Sequence, residues 1–243
     1  MPAIDLKDIS IVARRLKLLG MRYVLVGGGS LRFVVDARYR ATARPTMDVD
    51  FAVEVDSRIA YSKLEARVRD LGFKHDMRPG APKCRWQFEG IDVDILPTSP
   101  DAAEFGSPWF EMALDLSTSH EIEEGISVAV INSSCLMATK LDAFFDRGKE
   151  DYYGSEDLED IIALLEGCTE LLTELKSVPE ALRNRIANGM RRLLSAPAFL
   201  ETIQGHLSPE SPPKTRARVL DTAKQIVELR ASTALFSEHA DEQ

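Results

Sequence analysis

The sequence has little cysteine, little histidine and no long apolar run. Its three cysteines (Cys84, Cys135 and Cys168) are far apart, odd in number and form no Cys-x-x-Cys. That excludes a disulfide framework and fits a reducing compartment, the cytoplasm. Its four histidines (His75, His120, His206 and His239) are scattered without metal-ligand spacing, so zinc chemistry and Ser-His-Asp hydrolysis find no support. No window of about eighteen apolar residues exists, so no membrane-spanning helix is expected. The opening residues, Met-Pro-Ala-Ile-Asp-Leu-Lys-Asp, show neither the basic nor the apolar segment of a signal peptide. Positive charge is scarce as well. Lys and Arg number 30 against 39 Asp and Glu, a net charge of −9, which argues against a general nucleic-acid coat.

What is present is 243 residues with 44% hydrophobic content, enough for one large domain or two small ones. The charge is uneven. Residues 1–175 hold 20 basic and 31 acidic side chains (−11), residues 176–230 hold 10 and 5 (+5), and the last thirteen add −3. A mildly basic tail suits a polyanion, and solvated helix faces give the same count.

The most informative stretch runs from Tyr23 to Val55. A short apolar strand, Tyr23-Val24-Leu25-Val26, breaks into Gly27-Gly28-Gly29-Ser30. From Ser30 to Val35 a helix is expected, and its free N–H groups would offer an anion site at the turn. A dinucleotide fingerprint is rejected, because Gly27-x-Gly29-x-x-Arg32 lacks the third glycine and the next strand carries paired aspartates. That strand follows Arg44-Pro45-Thr46-Met47. Asp48, Asp50, Ala52 and Glu54 alternate with Val49, Phe51, Val53 and Val55, the period of a half-buried strand. Two ionised carboxylates one pleat apart repel unless a cation lies between them, and hard oxygen ligands of this kind suit magnesium. Arg38, Arg40 and Arg44, in the connection, are candidates for a triphosphate or for a solvated loop.

A second acidic strand follows. Cys84–Phe88 and Ile91–Leu96 form a strand pair around a tight Glu89-Gly90 turn. Asp92 and Asp94 share one face of the second strand. Phosphoryl transfer with two metals needs a third carboxylate, and two separate strands with alternate aspartates are hard to dismiss as an exposed face.

Elsewhere, residues 5–19 read as a helix stopped by Gly20, and Ser57–Leu71 as an amphipathic helix with Ile59, Leu64, Val68 and Leu71 inward. Residues 97–125 read as irregular. Trp109 and Phe110 there suit core packing or loop anchoring more than stacking on a base. Ser127–Ile131 reads as a last strand, and Asn132-Ser133 caps a helix through Asp146 with Met137, Leu141 and Phe144 as its buried stripe. Lys140 lies in that stripe, where a lysine usually snorkels. Helices are expected at Asp157–Leu165 and near 179–194, 198–206 and 214–236, punctuated by Pro197 and by prolines at 209, 212 and 213.

The glycine turn followed by Asp-x-Asp on the next strand resembles the polymerase-β-like nucleotidyltransferase superfamily. The Arg44-x-Thr46-x-Asp48-x-Asp50 form is similar to the minimal nucleotidyltransferases and the AbiEii-type toxins of bacterial toxin–antitoxin systems, over roughly residues 20–166. The resemblance implies an α+β fold, with a mixed sheet and flanking helices in a catalytic domain at residues 1–131. A helical domain at 132–243 would close over the site. It also implies transfer of a nucleoside monophosphate from a nucleoside triphosphate (NTP) to an acceptor. Asp48, Asp50 and Asp94 would hold two Mg2+ ions, with Asp92 the alternate third ligand. Gly28, Gly29, Ser30 and Arg44 would bind the nucleotide. Lys140-Leu141-x-Ala143 and Arg147-x-Lys149-x-Asp151 resemble the family's downstream motif, which brings in Lys140 as a catalytic and nucleotide-binding residue. Glu150 interrupts the usual pattern, so Asp151, Asp157 and Asp160 stay open as its carboxylate partner. The implied acceptor is RNA, at the tRNA 3′ end, and the implied partner a cognate antitoxin. The alternatives are an aminoglycoside-like small molecule, a protein hydroxyl, or a catalytically silent nucleotide-binding or antitoxin-like module.

Overall fold

The computed structural model describes residues 3–40, 44–148, 150–207 and 211–237. It divides into two compact units, one of residues 1–33 and 44–136, the other of residues 34–43 and 137–243.

The first unit is built on a seven-stranded mixed sheet. Its strands are β1 (Tyr23–Val26), β2 (Asp48–Val53), β3 (Lys74–His75), β4 (Arg85–Phe88), β5 (Ile91–Pro97), β6 (Thr118–Glu123) and β7 (Ile126–Val130), in the order β3-β4-β5-β2-β1-β7-β6. β2 lies at the centre, antiparallel to β1 and parallel to β5. The central strands carry the core of this unit: Val24, Leu25, Val49, Phe51, Val93 and Ile95 are fully buried. In the hairpin between β4 and β5, Glu89 and Gly90 both have positive φ, 50° and 82°, as a two-residue turn matched to strand twist requires.

Helix α1 (Leu6–Lys17) starts at a reciprocal cap. The Asp5 carboxylate accepts from the amides of Lys7 and Asp8, and Asp8 accepts from the Asp5 amide at 3.0 Å. Its buried stripe of Ile9, Val12, Ala13 and Leu16 packs on β2, β6 and β7. Short helices α2 (Leu31–Val34) and α3 (Ala37–Arg40) follow β1. Helix α4 (Arg58–Asp70) is capped by Ser57 and buries Tyr61, Leu64 and Val68. Ile59, expected inward, is 72% exposed. It sits in the first turn, and Tyr61 takes the inward position, donating its hydroxyl to the Ile95 carbonyl at 3.1 Å. Residues 97–125 are more ordered than expected. They hold α5 (Phe110–Asp115), which packs on β1, and β6, and Phe110 is buried.

Helix α6 (Ser133–Asp142) starts where the Asn132 side chain accepts from the Cys135 amide at 3.2 Å. It ends earlier than expected. Ala143–Arg147 is a π-helical turn, closed by the Gly148 amide on the Ala143 carbonyl at 2.8 Å. The second unit continues with α7 (Glu156–Gly167), α8 (Leu171–Ser177), α9 (Glu180–Ser195), α10 (Pro197–His206) and α11 (Thr215–Ser237), with α7, α8 and α9 packed along α11. Among the described residues, no helix is long and apolar enough to cross a membrane. None of the three cysteines, all among the described residues, is in a disulfide.

Candidate active site

The site begins where β1 ends. Gly27 has φ 63° and ψ −162°, a backbone region that is essentially glycine-only. A Cβ there would also lie 1.9 Å from Asp50 Oδ2. The backbone thus passes directly against a carboxylate, which only a hydrogen side chain allows. Gly28–Ser30 then forms one 3₁₀ turn leading into α2. A Cβ on Gly28 would lie 3.1 Å from Arg44 Nη2 and 3.4 Å from Thr46 Oγ1, so both residues line the turn. The Ser30 hydroxyl, fully buried, donates to the Gly27 carbonyl at 2.7 Å and closes the turn. Thr46 donates to Asp48 Oδ1 at 3.2 Å and orients that carboxylate.

The sheet register brings the aspartates together. Parallel pairing of β2 with β5 sets Asp50 opposite Asp94 and Asp48 opposite Asp92. Asp48, Asp50 and Asp94 each offer a carboxylate oxygen, and these oxygens lie within 4.8 Å of one another. Asp92 is held elsewhere: Arg78 Nη2 donates to it at 2.6 Å and Gln87 Nε2 at 3.1 Å. Arg78 also forks onto Asp76, with contacts of 2.6 to 2.9 Å. These hydrogen bonds hold the Asp76 carboxyl well below its ordinary value, at about 2. Three carboxylates in one cluster, all hard oxygen donors, fit a magnesium-like divalent cation.

Arg85 was not anticipated from the sequence. It projects from β4 opposite Asp94, to which Nε and Nη2 donate at 2.8 Å each, and Nη2 also contacts Asp48 Oδ2. Its pKa is raised, first by the Asp94 hydrogen bonds, against the opposing effect of burial. The Asp94 carboxyl is nonetheless pushed up, because burial outweighs the guanidinium beside it. The signal for Arg85 was available. In a two-residue hairpin Phe88 pairs with Ile91, and counting back three residues on one strand and forward three on the other sets Arg85 against Asp94.

The other candidates lie in the second unit. Arg38 ion-pairs with Asp36 at 3.9 Å and covers the Tyr39 ring at 4.9 Å, and Arg40 Nε donates to the Val35 carbonyl at 3.4 Å. Lys140 is buried between two α7 carboxylates, 2.6 Å from Asp160 Oδ2 and 3.0 Å from Asp157 Oδ1. Burial works to lower its pKa, but the two carboxylates win and the net shift is upward. Asp151 caps its own turn, accepting from the amides of Tyr153 and Gly154 at 3.0 Å each. Lys149 lies outside the described residues.

The family model described as nucleotidyl transferase AbiEii toxin, type IV toxin–antitoxin system, matches residues 11–242. Among solved structures, JHP933 from Helicobacter pylori is similar at 14% identity and a TM-score of 0.49, covering 96% of this chain and 95% of that one. The antibiotic-resistance factor ANT(2'')-Ia is similar at 17% identity and a TM-score of 0.44, covering 84% and 100%. A tRNA nucleotidyltransferase, solved with a primer tRNA and an incoming ATP analogue, is similar at 17% identity and a TM-score of 0.28, covering 95% and 70%. No curated protein matches the sequence.

Proposed function

We propose, from the premise that this chain belongs to the AbiEii nucleotidyltransferase toxin family, a finer function than the family alone states. The chain is a nucleotidyltransferase. In our reading it is a cytoplasmic toxin that moves a nucleoside monophosphate from an NTP to RNA, at the tRNA 3′ end, is neutralised by a cognate antitoxin, and depends on magnesium. The observation that carries the chemistry is the cluster of Asp48, Asp50 and Asp94 against the glycine turn. The family's toxin description supports the biological role. The motif resemblance and the excess of basic side chains over residues 176–230 support a polyanionic acceptor.

In the proposed reaction the acceptor hydroxyl oxygen bonds to the α-phosphorus while the bond to the β-phosphate's bridging oxygen breaks. Pyrophosphate leaves, and the hydroxyl proton passes to a carboxylate. Asp94, on the strand beside Asp48 and Asp50, is assigned as that acceptor. Asp48, Asp50 and Asp94 would hold two magnesium ions, which when bound neutralise triphosphate charge and lower the pKa of the attacking hydroxyl. Gly28 and Gly29 are assigned main-chain contacts to the phosphates, Ser30 the closing of that turn, and Arg44 a guanidinium contact. Lys140 is assigned the neutralisation of triphosphate or pyrophosphate charge. Residues 1–131 would form the catalytic domain and residues 132–243 the helical one.

The test is label transfer. Protein, magnesium and total bacterial tRNA are incubated with each α-labelled NTP in turn, beside the Asp48→Ala variant. The proposal expects label on tRNA with one or more NTPs and none with the variant. Label on the protein itself, or pyrophosphate release only with an aminoglycoside, would replace the RNA assignment. Wild-type transfer by Asp48→Ala would remove the cluster from the chemistry.

A further inference from the structure

Arg85 holds the same oxygens that a bound cation would need. Its guanidinium fork engages both oxygens of Asp94 and shares Nη2 with Asp48 Oδ2. The three side chains are 19%, 11% and 28% exposed, so these charges are largely out of water. Carboxylates this close need compensation, and a monovalent guanidinium supplies part of it from within the chain. A divalent ion held by Asp48 and Asp94 would share those carboxylates with the guanidinium, and like charges that close repel strongly in a partly desolvated site. The two cations therefore exclude each other from Asp48 and Asp94 together. Arg85 has a long side chain on a strand whose backbone is fixed by pairing to β5, so it can release the carboxylates without any change in the sheet.

We propose that Arg85 is a built-in counter-ion that competes with the divalent cation for Asp48 and Asp94. It keeps the cluster compensated when no nucleotide is bound, and it weakens binding of the free ion. Loading is then coupled to the NTP, whose triphosphate brings the charge that draws the ion in and offers the displaced guanidinium a new partner. This inference rests on the metal-dependent reading above. It goes beyond that reading by giving Arg85 a positioning role and the ion an order of entry.

The test is Mn2+ binding to the full chain without nucleotide, followed by calorimetry and by the electron paramagnetic resonance of free Mn2+. Wild type, Arg85→Met, Arg85→Lys and Asp48→Asn are compared, each with a thermal melt. Arg85→Met is expected to bind Mn2+ at least about tenfold tighter than wild type, the low end for removing a cation beside two partly buried carboxylates. It should melt lower than wild type without metal and gain more stability from added Mn2+. If Arg85→Met does not fold, Arg85→Lys, which keeps the charge but not the fork, is expected to bind tighter than wild type by a smaller factor. Binding by the Arg85 variants equal to or weaker than wild type, with Asp48→Asn still losing it, would overturn the competition and leave the metal site standing. No Mn2+ binding by wild type or by any Arg85 variant would overturn the metal-dependent reading itself, and the competition with it.

Discussion

Lys140→Met offers a direct reading of what the buried ion triad contributes. Lys140 Nζ lies 2.6 Å from Asp160 and 3.0 Å from Asp157, and Asp160 is wholly buried. At an effective dielectric of about 20, each contact corresponds to roughly 6 kcal/mol of Coulomb attraction before desolvation is subtracted. Desolvation takes back most of that, so the net worth of the triad is far smaller than the sum. Removing only the lysine is a different matter, because it takes away the cation that faces the buried Asp160 carboxylate and leaves that charge inside the unit. That class of change costs about 3–5 kcal/mol, a large share of an ordinary domain's stability. Urea unfolding of wild type, Lys140→Met, Asp160→Asn and the double variant measures it. The double variant should be more stable than the sum of the single losses predicts, by about 2 kcal/mol or more. The pH dependence has a definite sign. The lysine's pKa is raised above its ordinary 10.5, so the contribution is complete below that pH and is lost only as pH rises beyond it. A loss below about 1 kcal/mol for Lys140→Met would refute the reasoning. Transfer measured on the stabilised double variant then isolates the chemical role assigned to Lys140. Full activity there would remove Lys140 from the mechanism.

Two further outcomes follow from the geometry. Gly27→Ala places a Cβ 1.9 Å from Asp50 Oδ2 at a backbone conformation of φ 63°, and should cost about 1–3 kcal/mol of stability. Because the Asp50 carboxylate must move, transfer should fall at least about a hundredfold, and a fall of less than about threefold would show that Asp50 has no fixed position to lose. Asp76 is held at about 2 against an ordinary 3.8, so its contribution to stability is complete above 3.8 and is lost as pH falls toward 2. Asp76→Asn should flatten that part of the acid limb in thermal melts taken between these pH values, and an unchanged limb would contradict the Arg78 pairing.

The two aspartate-bearing strands are legible in the sequence because both signals are strict. A period of two placed Asp48 and Asp50 on one face, and a two-residue turn fixed the pairing of β4 with β5. The same turn would have yielded Arg85, had the register been counted back from Phe88 and Ile91 to Arg85 and Asp94. Asp92 and Asp94 share a face and an alternation, so only their neighbours separate them: Arg78 and Gln87 hold one, Arg85 and Asp50 flank the other. β6 is not legible in the sequence because Thr118–Glu123 is an edge strand whose one apolar residue is Ile122, too few for an apolar alternation, and all of it is at least partly exposed. β3 is two residues long. Ile59 reads as inward from its apolar character, but it falls off the stripe of Tyr61, Leu64 and Val68 that α4 buries. The π-helical turn at Ala143–Arg147 leaves no mark in a 3.6-residue pattern, so the end of α6 could not be read from periodicity.

The account turns on which carboxylates do the work, and paired isosteric variants decide that most directly. Initial rates of labelled nucleotide transfer to tRNA would be measured for wild type, Asp94→Asn and Asp92→Asn at saturating magnesium. Asp94→Asn is predicted to lose activity by about a thousandfold or more, as the proposal that it both holds the metal and takes the proton requires. Asp92→Asn, which disturbs only the Arg78 and Gln87 contacts, is predicted to stay within about tenfold of wild type. The reverse order, with Asp92→Asn inactive and Asp94→Asn active, would contradict the assignment of the site.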